Sequence, residues 1–156
     1  MKMNIKRHLI HICLLGVLLF LARTSAAQPV TRIAAGDQHS LFLKSDGSLW
    51  AMGLNKNGEL GDGTNDGPLY PEQTVASNVT AIAAGGFHSL FLKSDSSLWV
   101  MGRNTEGQLG LGTNRYAYLP EQLVASNVTA IAGGDYYCLF LKSDSNLWAV
   151  GVNDNG

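Results

Sequence analysis

The chain has 156 residues, with eleven basic and twelve acidic side chains, a net charge of −1 and 18 glycines. That length fits one ordinary domain, and so much glycine favours a turn-rich fold over long helices. No run of Lys and Arg marks a phosphate-binding surface, which counts against DNA or RNA as a partner.

Residues 1–27 have the layout of a secretory signal peptide. Lys2, Lys6 and Arg7 precede an apolar core from Leu9 to Leu21, and small residues Ser25, Ala26 and Ala27 close the segment. We expect cleavage after Ala27, with Ala26 as the neighbouring alternative, and hence a secreted, periplasmic or cell-envelope protein of bacterial type. A retained anchor fits less well, because a helix needs about 20 apolar residues to cross a bilayer and His11 interrupts this shorter core. Cys13 sits inside the apolar core and not at a cleavage point, so lipidation is not expected.

Removal of the leader takes away Lys2, Lys6, Arg7 and Arg23 and leaves a net charge of −5. It also leaves Cys138 as the one thiol, so no internal disulfide can form. Cys138 occupies the repeat position of Ser40 and Ser89 beside a Leu-Phe-Leu run, where a buried, inert thiol is expected.

From Val30 onward the sequence repeats every 49 residues without a gap: residues 30–78, 79–127 and a shorter third copy, 128–156. Each copy predicts four short strands. "VTAIAAG" and "HSLFLKS" are rich in Val, Ile, Leu and Phe and are separated by a glycine turn; "SLWVMG" follows through "SDSS", or "SDGS" in the first copy. "PEQLVAS" supplies the fourth strand and begins with Pro120, which has no backbone donor and is expected at a sheet edge or a strand start. Four antiparallel strands per copy predict an all-β chain of β-propeller blades, about two and a half of them. Ala34, Ala35 and Gly36 are small enough for the crowded innermost strand. Trp50, Trp99 and Trp148, one per copy, are expected to fill the space between blades, each burying about 200 Å².

Two patterns then carry a family resemblance. Gly102, Asn104, Gly107, Gln108, Leu109, Gly110 and Gly112 stand at fixed offsets, as do Gly53, Asn55, Gly58, Leu60, Gly61 and Gly63 one copy earlier. Gly85 precedes His88 as Gly36 precedes His39, while Gly134, Gly151 and Asn153 begin the same pattern in the third copy. The chain resembles the regulator of chromosome condensation repeat family across its whole mature length. The resemblance implies a propeller, in that family usually of seven blades, with the histidines and glycines as scaffold. Family members include a nuclear guanine-nucleotide exchange factor, a plant ultraviolet sensor and a secreted bacterial inhibitor of β-lactamase, so the resemblance leaves function open.

No catalytic group is expected. His39 and His88 are two equivalent scaffold positions, and adjacent Ser40 and Ser89 point to the opposite face of their strands, away from those histidines. Asp62, Thr64, Asn65 and Asp66 resemble part of a calcium loop, but Gln73 stands at its closing position, and Leu111 and Arg115 replace its donors in the second copy. We therefore expect no metal and no cofactor. Asn78 and Asn127, each followed by Val-Thr, are expected to form a turn before a strand.

Sequence differences between the copies gather in one loop. Asp66 to Tyr70 is acidic and compact; its counterpart, Arg115 to Leu119, is basic and has Tyr116 and Tyr118. Exposed Tyr and Arg are enriched at protein interfaces, so Arg115, Tyr116, Tyr118, Asp66 and Tyr70 are the candidate partner-binding residues. Two and a half blades leave an open edge and an uncovered face. We accordingly expect a piece of a longer chain, or self-association, and read the protein as a non-catalytic, exported protein-binding scaffold. A secreted enzyme inhibitor and an accessory module of a larger exported enzyme are the alternatives; nucleotide exchange needs a surface on further blades.

Overall fold

The structure is a computed structural model that describes residues 27–153 apart from positions 76 and 125. The expected leader up to position 26, including Cys13, and positions 154–156 lie outside the described residues. Every regular element among the described residues is a strand.

Strands β1 (Val30–Ala35), β2 (His39–Lys44), β3 (Leu49–Gly53) and β4 (Glu72–Val75) form the first sheet in chain order. The second contains β5 (Val79–Ala84), β6 (His88–Lys93), β7 (Leu98–Gly102) and β8 (Ala117–Val124). The third contains β9 (Val128–Gly133), β10 (Tyr137–Lys142) and β11 (Leu147–Gly151). All pairings are antiparallel and repeat in register: Phe42 faces Trp50, Phe91 faces Trp99 and Phe140 faces Trp148. The result is an incomplete β-propeller of two four-stranded blades and one of three strands.

Blades stack through their first two strands, with β1 against β5 and β5 against β9 on the inner side. Gly36 and Gly85 show why the inner ends must be small: a Cβ on either would lie 2.5 Å from the carbonyl oxygen of Gly85 or Gly134 in the next blade. Two apolar cores fill the spaces between sheets. The first joins Leu41, Leu43, Leu49, Ala51 and Leu60 of blade one to Val79, Phe91 and Met101 of blade two. The second repeats this with Leu90, Leu92, Leu98, Val100 and Leu109 against Val128, Cys138 and Phe140. Strand β6 is therefore buried on both faces, whereas β2 alternates, because the second blade alone has a neighbour on each side among the described residues.

The tight hairpins repeat too. Asp46 Oδ1 accepts bonds from Ser48 N and Oγ, and Ser48 Oγ accepts from Trp50 Nε1; Asp95, Ser97 and Trp99 do the same. These serine bonds, side chain first, hold Asp46 and Asp95 below the ordinary carboxylate range. Gly47 takes φ 78°, and Ser96 and Ser145 take φ 62° and 67° at the same position. Asn78 and Asn127, at φ 68° and 66°, make the left-handed turn before β5 and β9.

Three expectations are corrected. The tryptophans fill the inter-blade spaces only in part: Trp99 is half-buried and packs against the first core, Trp50 is half-buried and Trp148 is exposed, each stacked on its cross-strand Phe with a lysine ammonium over the ring. The indole N–H bond to Ser48 or Ser97 ties the first two rings toward the hairpin end. The fourth strand of blade two, β8, begins at Ala117 and not at Pro120; the proline still lies on an edge strand, one of its two expected placements, where the missing donor costs no ladder bond. Residues 117–119 are consequently strand and not loop, since Ala117 is small enough to be buried while paired with Gly102.

Candidate functional site

Three arrangements bear on function: a buried histidine–serine contact, the asparagine-centred loops, and the surface those loops present. The histidine contact crosses between blades. His39 Nε2 lies 2.9 Å from Ser89 Oγ, and both side chains are buried. Ser89 Oγ donates its single proton to the Glu59 carbonyl at 2.8 Å, so it must accept from His39 Nε2–H. A histidine that donates here cannot also remove the serine proton, and the contact is a structural tie. Sequence reasoning placed Ser89 away from His88 but missed this partner one blade back; the signal was the offset of one repeat plus one residue.

Burial, the largest influence, holds His39 below its ordinary value although Glu59 and Asp37 pull the other way. His88 falls further, to about 4, from burial first and the charge of His39 second. At the second interface the serine position is Cys138, and His88 has no side-chain hydrogen-bond partner among the described residues, although the Tyr137 backbone lies close enough to pull its value upward. Burial pushes the Cys138 thiol up to about 12, so it is protonated and inert at neutral pH.

The glycine-rich loop after the third strand of each four-stranded blade is wound around one buried asparagine. Asn55 Oδ1 accepts from Leu60 N at 3.0 Å, while its Nδ2 donates to Asp62 Oδ1, Thr64 and the Asp66 carbonyl. Asn104 accepts from Leu109 N at 2.9 Å and donates to the Thr113 carbonyl. Glu59 and Gln108 fold back to accept from the backbone N–H of Asn57 and Glu106. Gly53, Gly102 and Gly151 enter the loop at φ 109°, 109° and 123°, where a Cβ would strike the backbone of the preceding turn. Gly58, Gly61, Gly63, Gly107, Gly110 and Gly112 supply its remaining left-handed corners.

Asp62 is occupied by this loop. Partial burial raises its carboxyl, but bonds from Thr64 N, Thr64 Oγ1 and Asn55 outweigh burial and hold it below the ordinary value. Among the described residues, no group of three or more His, Cys, Asp or Glu side chains could hold a metal ion.

Of the candidate binding residues, Tyr118 lies where two blades meet. Gly63 N donates to the Tyr118 carbonyl at 2.8 Å, and the Leu119 side chain lies over Gly63, so β8 of blade two runs along the loop of blade one. Leu69 is 94% and Tyr70 78% exposed, while Tyr118 and Leu119 are exposed on the strand. Tyr116 meets Tyr118 edge to face with ring centres 6.2 Å apart. Arg115 is paired with Glu121, at 2.6 and 2.7 Å. The sequence named Asp66, Tyr70, Arg115, Tyr116 and Tyr118; it missed Leu69, Leu119 and Glu121, which topology adds. Asp66 contributes its backbone carbonyl to Asn55.

The regulator of chromosome condensation (RCC1) repeat matches this chain in two overlapping descriptions, at residues 46–92 and 95–141 and at residues 30–59 and 79–108. The chain belongs to the RCC1 repeat family. Solved structures agree with that assignment. Human WBSCR16 is similar at 24% identity and a TM-score of 0.73, covering 84% of this chain and 36% of that one. Yeast Prp20p, described with its binding properties to Gsp1p and histones, is similar at 26% identity and a TM-score of 0.72, covering 85% and 33%. The ectodomain of the Arabidopsis thaliana receptor kinase ACR4 shares the fold at 16% identity and a TM-score of 0.50, covering 84% and 40%. The RCC1-repeat chain thus spans about a third of the length of these solved relatives. Comparison with curated protein sequences gives no match.

Proposed function

We propose that this RCC1-repeat chain is a non-catalytic, exported scaffold that binds another protein through the paired loops of blades one and two. The observation that carries the reading is the Gly63–Tyr118 backbone bond, which ties β8 of blade two to the loop of blade one; Leu69 and Tyr70 are exposed in the segment that follows that loop, and Tyr118 and Leu119 are exposed on β8 with the Arg115–Glu121 pair. Large apolar and aromatic side chains with a charged rim are the composition of interface centres. Rigid support from Asn55 and Asn104 reduces the ordering cost of binding. The protein partners of Prp20p, which include Gsp1p, histones and Kap60, support a protein partner in general. Export rests on the leader sequence, and an inhibitor of a secreted enzyme would use the same exposed surface.

A photo-crosslinking residue at position 118, with another at position 142 as a control on a different blade, tests the reading in the exported fraction. A partner captured at position 118 and absent at 142 is expected. Equal capture at both positions, or capture unaffected by Tyr70→Ser, would overturn it.

A further inference from the structure

The two ends of the blade stack present opposite halves of one interface. Within the chain, each blade offers a leucine face to the next: Leu41, Leu43, Leu49 and Ala51 in blade one, then Leu90, Leu92, Leu98 and Val100 in blade two. Each following blade answers with a valine, an isoleucine, a phenylalanine and a long or branched residue: Val79, Ile82, Phe91 and Met101, then Val128, Ile131, Phe140 and Val150. Blade three carries the leucine face again as Leu139, Leu141, Leu147 and Ala149, and blade one carries the answering face as Val30, Ile33, Phe42 and Met52.

No described residue covers either of these last two faces. Leu147 is 68% exposed, while its equivalents Leu49 and Leu98 are fully buried. Val30 is 52% exposed against 4% and 2% for Val79 and Val128, and Ile33 is 82% exposed. Neither set contains a formal charge, and a shallow groove lined by Tyr137, Leu139 and Ala149 runs along the leucine face. A polar match accompanies the apolar one. His39 reaches the hydroxyl at the Ser89 position of the next blade; at the open end Tyr137 occupies the histidine position, and the equivalent hydroxyl at the other end belongs to Ser40.

We propose that copies of this chain associate head to tail, the leucine face of blade three in one copy receiving the Ile33–Phe42 face of blade one in the next. A second copy is the occupant because each exposed face has the side chains, at the same strand positions, that its equivalents use twice inside the chain. The contact is heterologous, so an open assembly keeps one free face at each of its two ends until a ring closes. It needs no residue of the loop surface proposed for partner binding, and the two ideas stand or fall separately.

Light scattering on the purified full chain across the micromolar to millimolar range tests the proposal, together with I33E and L147E. Both residues are exposed in the single chain, so both variants keep the internal cores. Wild type is expected to gain mass with concentration, and each variant alone is expected to remain a monomer. Mixing the two variants restores exactly one competent contact, between the blade-three face of I33E and the blade-one face of L147E, and should give a one-to-one dimer. A wild-type monomer throughout, self-association of either variant alone, or no dimer on mixing would overturn the proposal. I33S and L147S carry the same comparison if a glutamate unfolds its chain.

Discussion

His39 Nε2 donates to Ser89 Oγ across the first blade interface at 2.9 Å, and Ser89 Oγ in turn donates to the Glu59 carbonyl at 2.8 Å. One hydroxyl thereby satisfies a buried ring nitrogen and a backbone carbonyl from blade one. Ser89→Ala leaves both without that partner, and the expected loss of stability is about 1–3 kcal/mol. Urea unfolding measures it. A change below a few tenths of a kcal/mol would show that the contact contributes little.

Acid sensitivity follows from the two buried histidines. Both have folded values below their ordinary 6.5, with His88 at about 4, so the unfolded chain takes up protons first as pH falls. Stability is full above about pH 6.5 and declines as pH drops toward 4, with His88 alone accounting for about 3 kcal/mol. His88→Leu should flatten the decline over that window at modest cost near pH 7, because the ring has no side-chain hydrogen-bond partner among the described residues and only the Tyr137 backbone beside it. An unchanged pH profile in His88→Leu would contradict the assignment.

Cys138 stands where the previous interface has Ser89. Cys138→Ser supplies a hydroxyl able to accept from His88, and a gain of about 1 kcal/mol is expected from that bond. The wild-type thiol should react with a small disulfide reagent only after unfolding, given its burial and its value of about 12. Rapid reaction in the folded chain would contradict its placement.

The hairpin turns contain a small stored strain. Ser96 and Ser145 adopt the left-handed conformation that Gly47 adopts in blade one. Left-handed geometry costs a residue with a Cβ about 1 kcal/mol, so Ser96→Gly should raise the denaturant midpoint and Gly47→Ser should lower it. Equal midpoints for all three chains would remove this account of the turns.

Much of the fold was legible because the repeat was. Identical spacing of "HSLFLKSD" and the Asn-x-x-Gly loop fixed the strands, their order and the small inner residues. Contacts between blades were harder to see: Ser89 meets His39 from 50 residues away, which strand alternation within one copy cannot show. Trp99 does pack against the first core, but the tryptophans were placed too deep because the run of apolar residues does not reveal that Ser48 and Ser97 anchor the indole at the hairpin end. The candidate surface was half legible. Variation between copies pointed to Tyr70, Tyr116 and Tyr118, but the backbone bond that brings Tyr118 onto the loop of blade one depends on the packing of the blades.

The most direct test of the binding account is a double-mutant cycle on the affinity of the captured partner, using Tyr70→Ser, Tyr118→Ser and the two together. The account predicts at least a tenfold loss for each substitution, about 1.4 kcal/mol, and a combined effect smaller than additive if both rings meet one site. Unchanged affinity in all three variants would contradict the assignment of the paired loops as the binding surface.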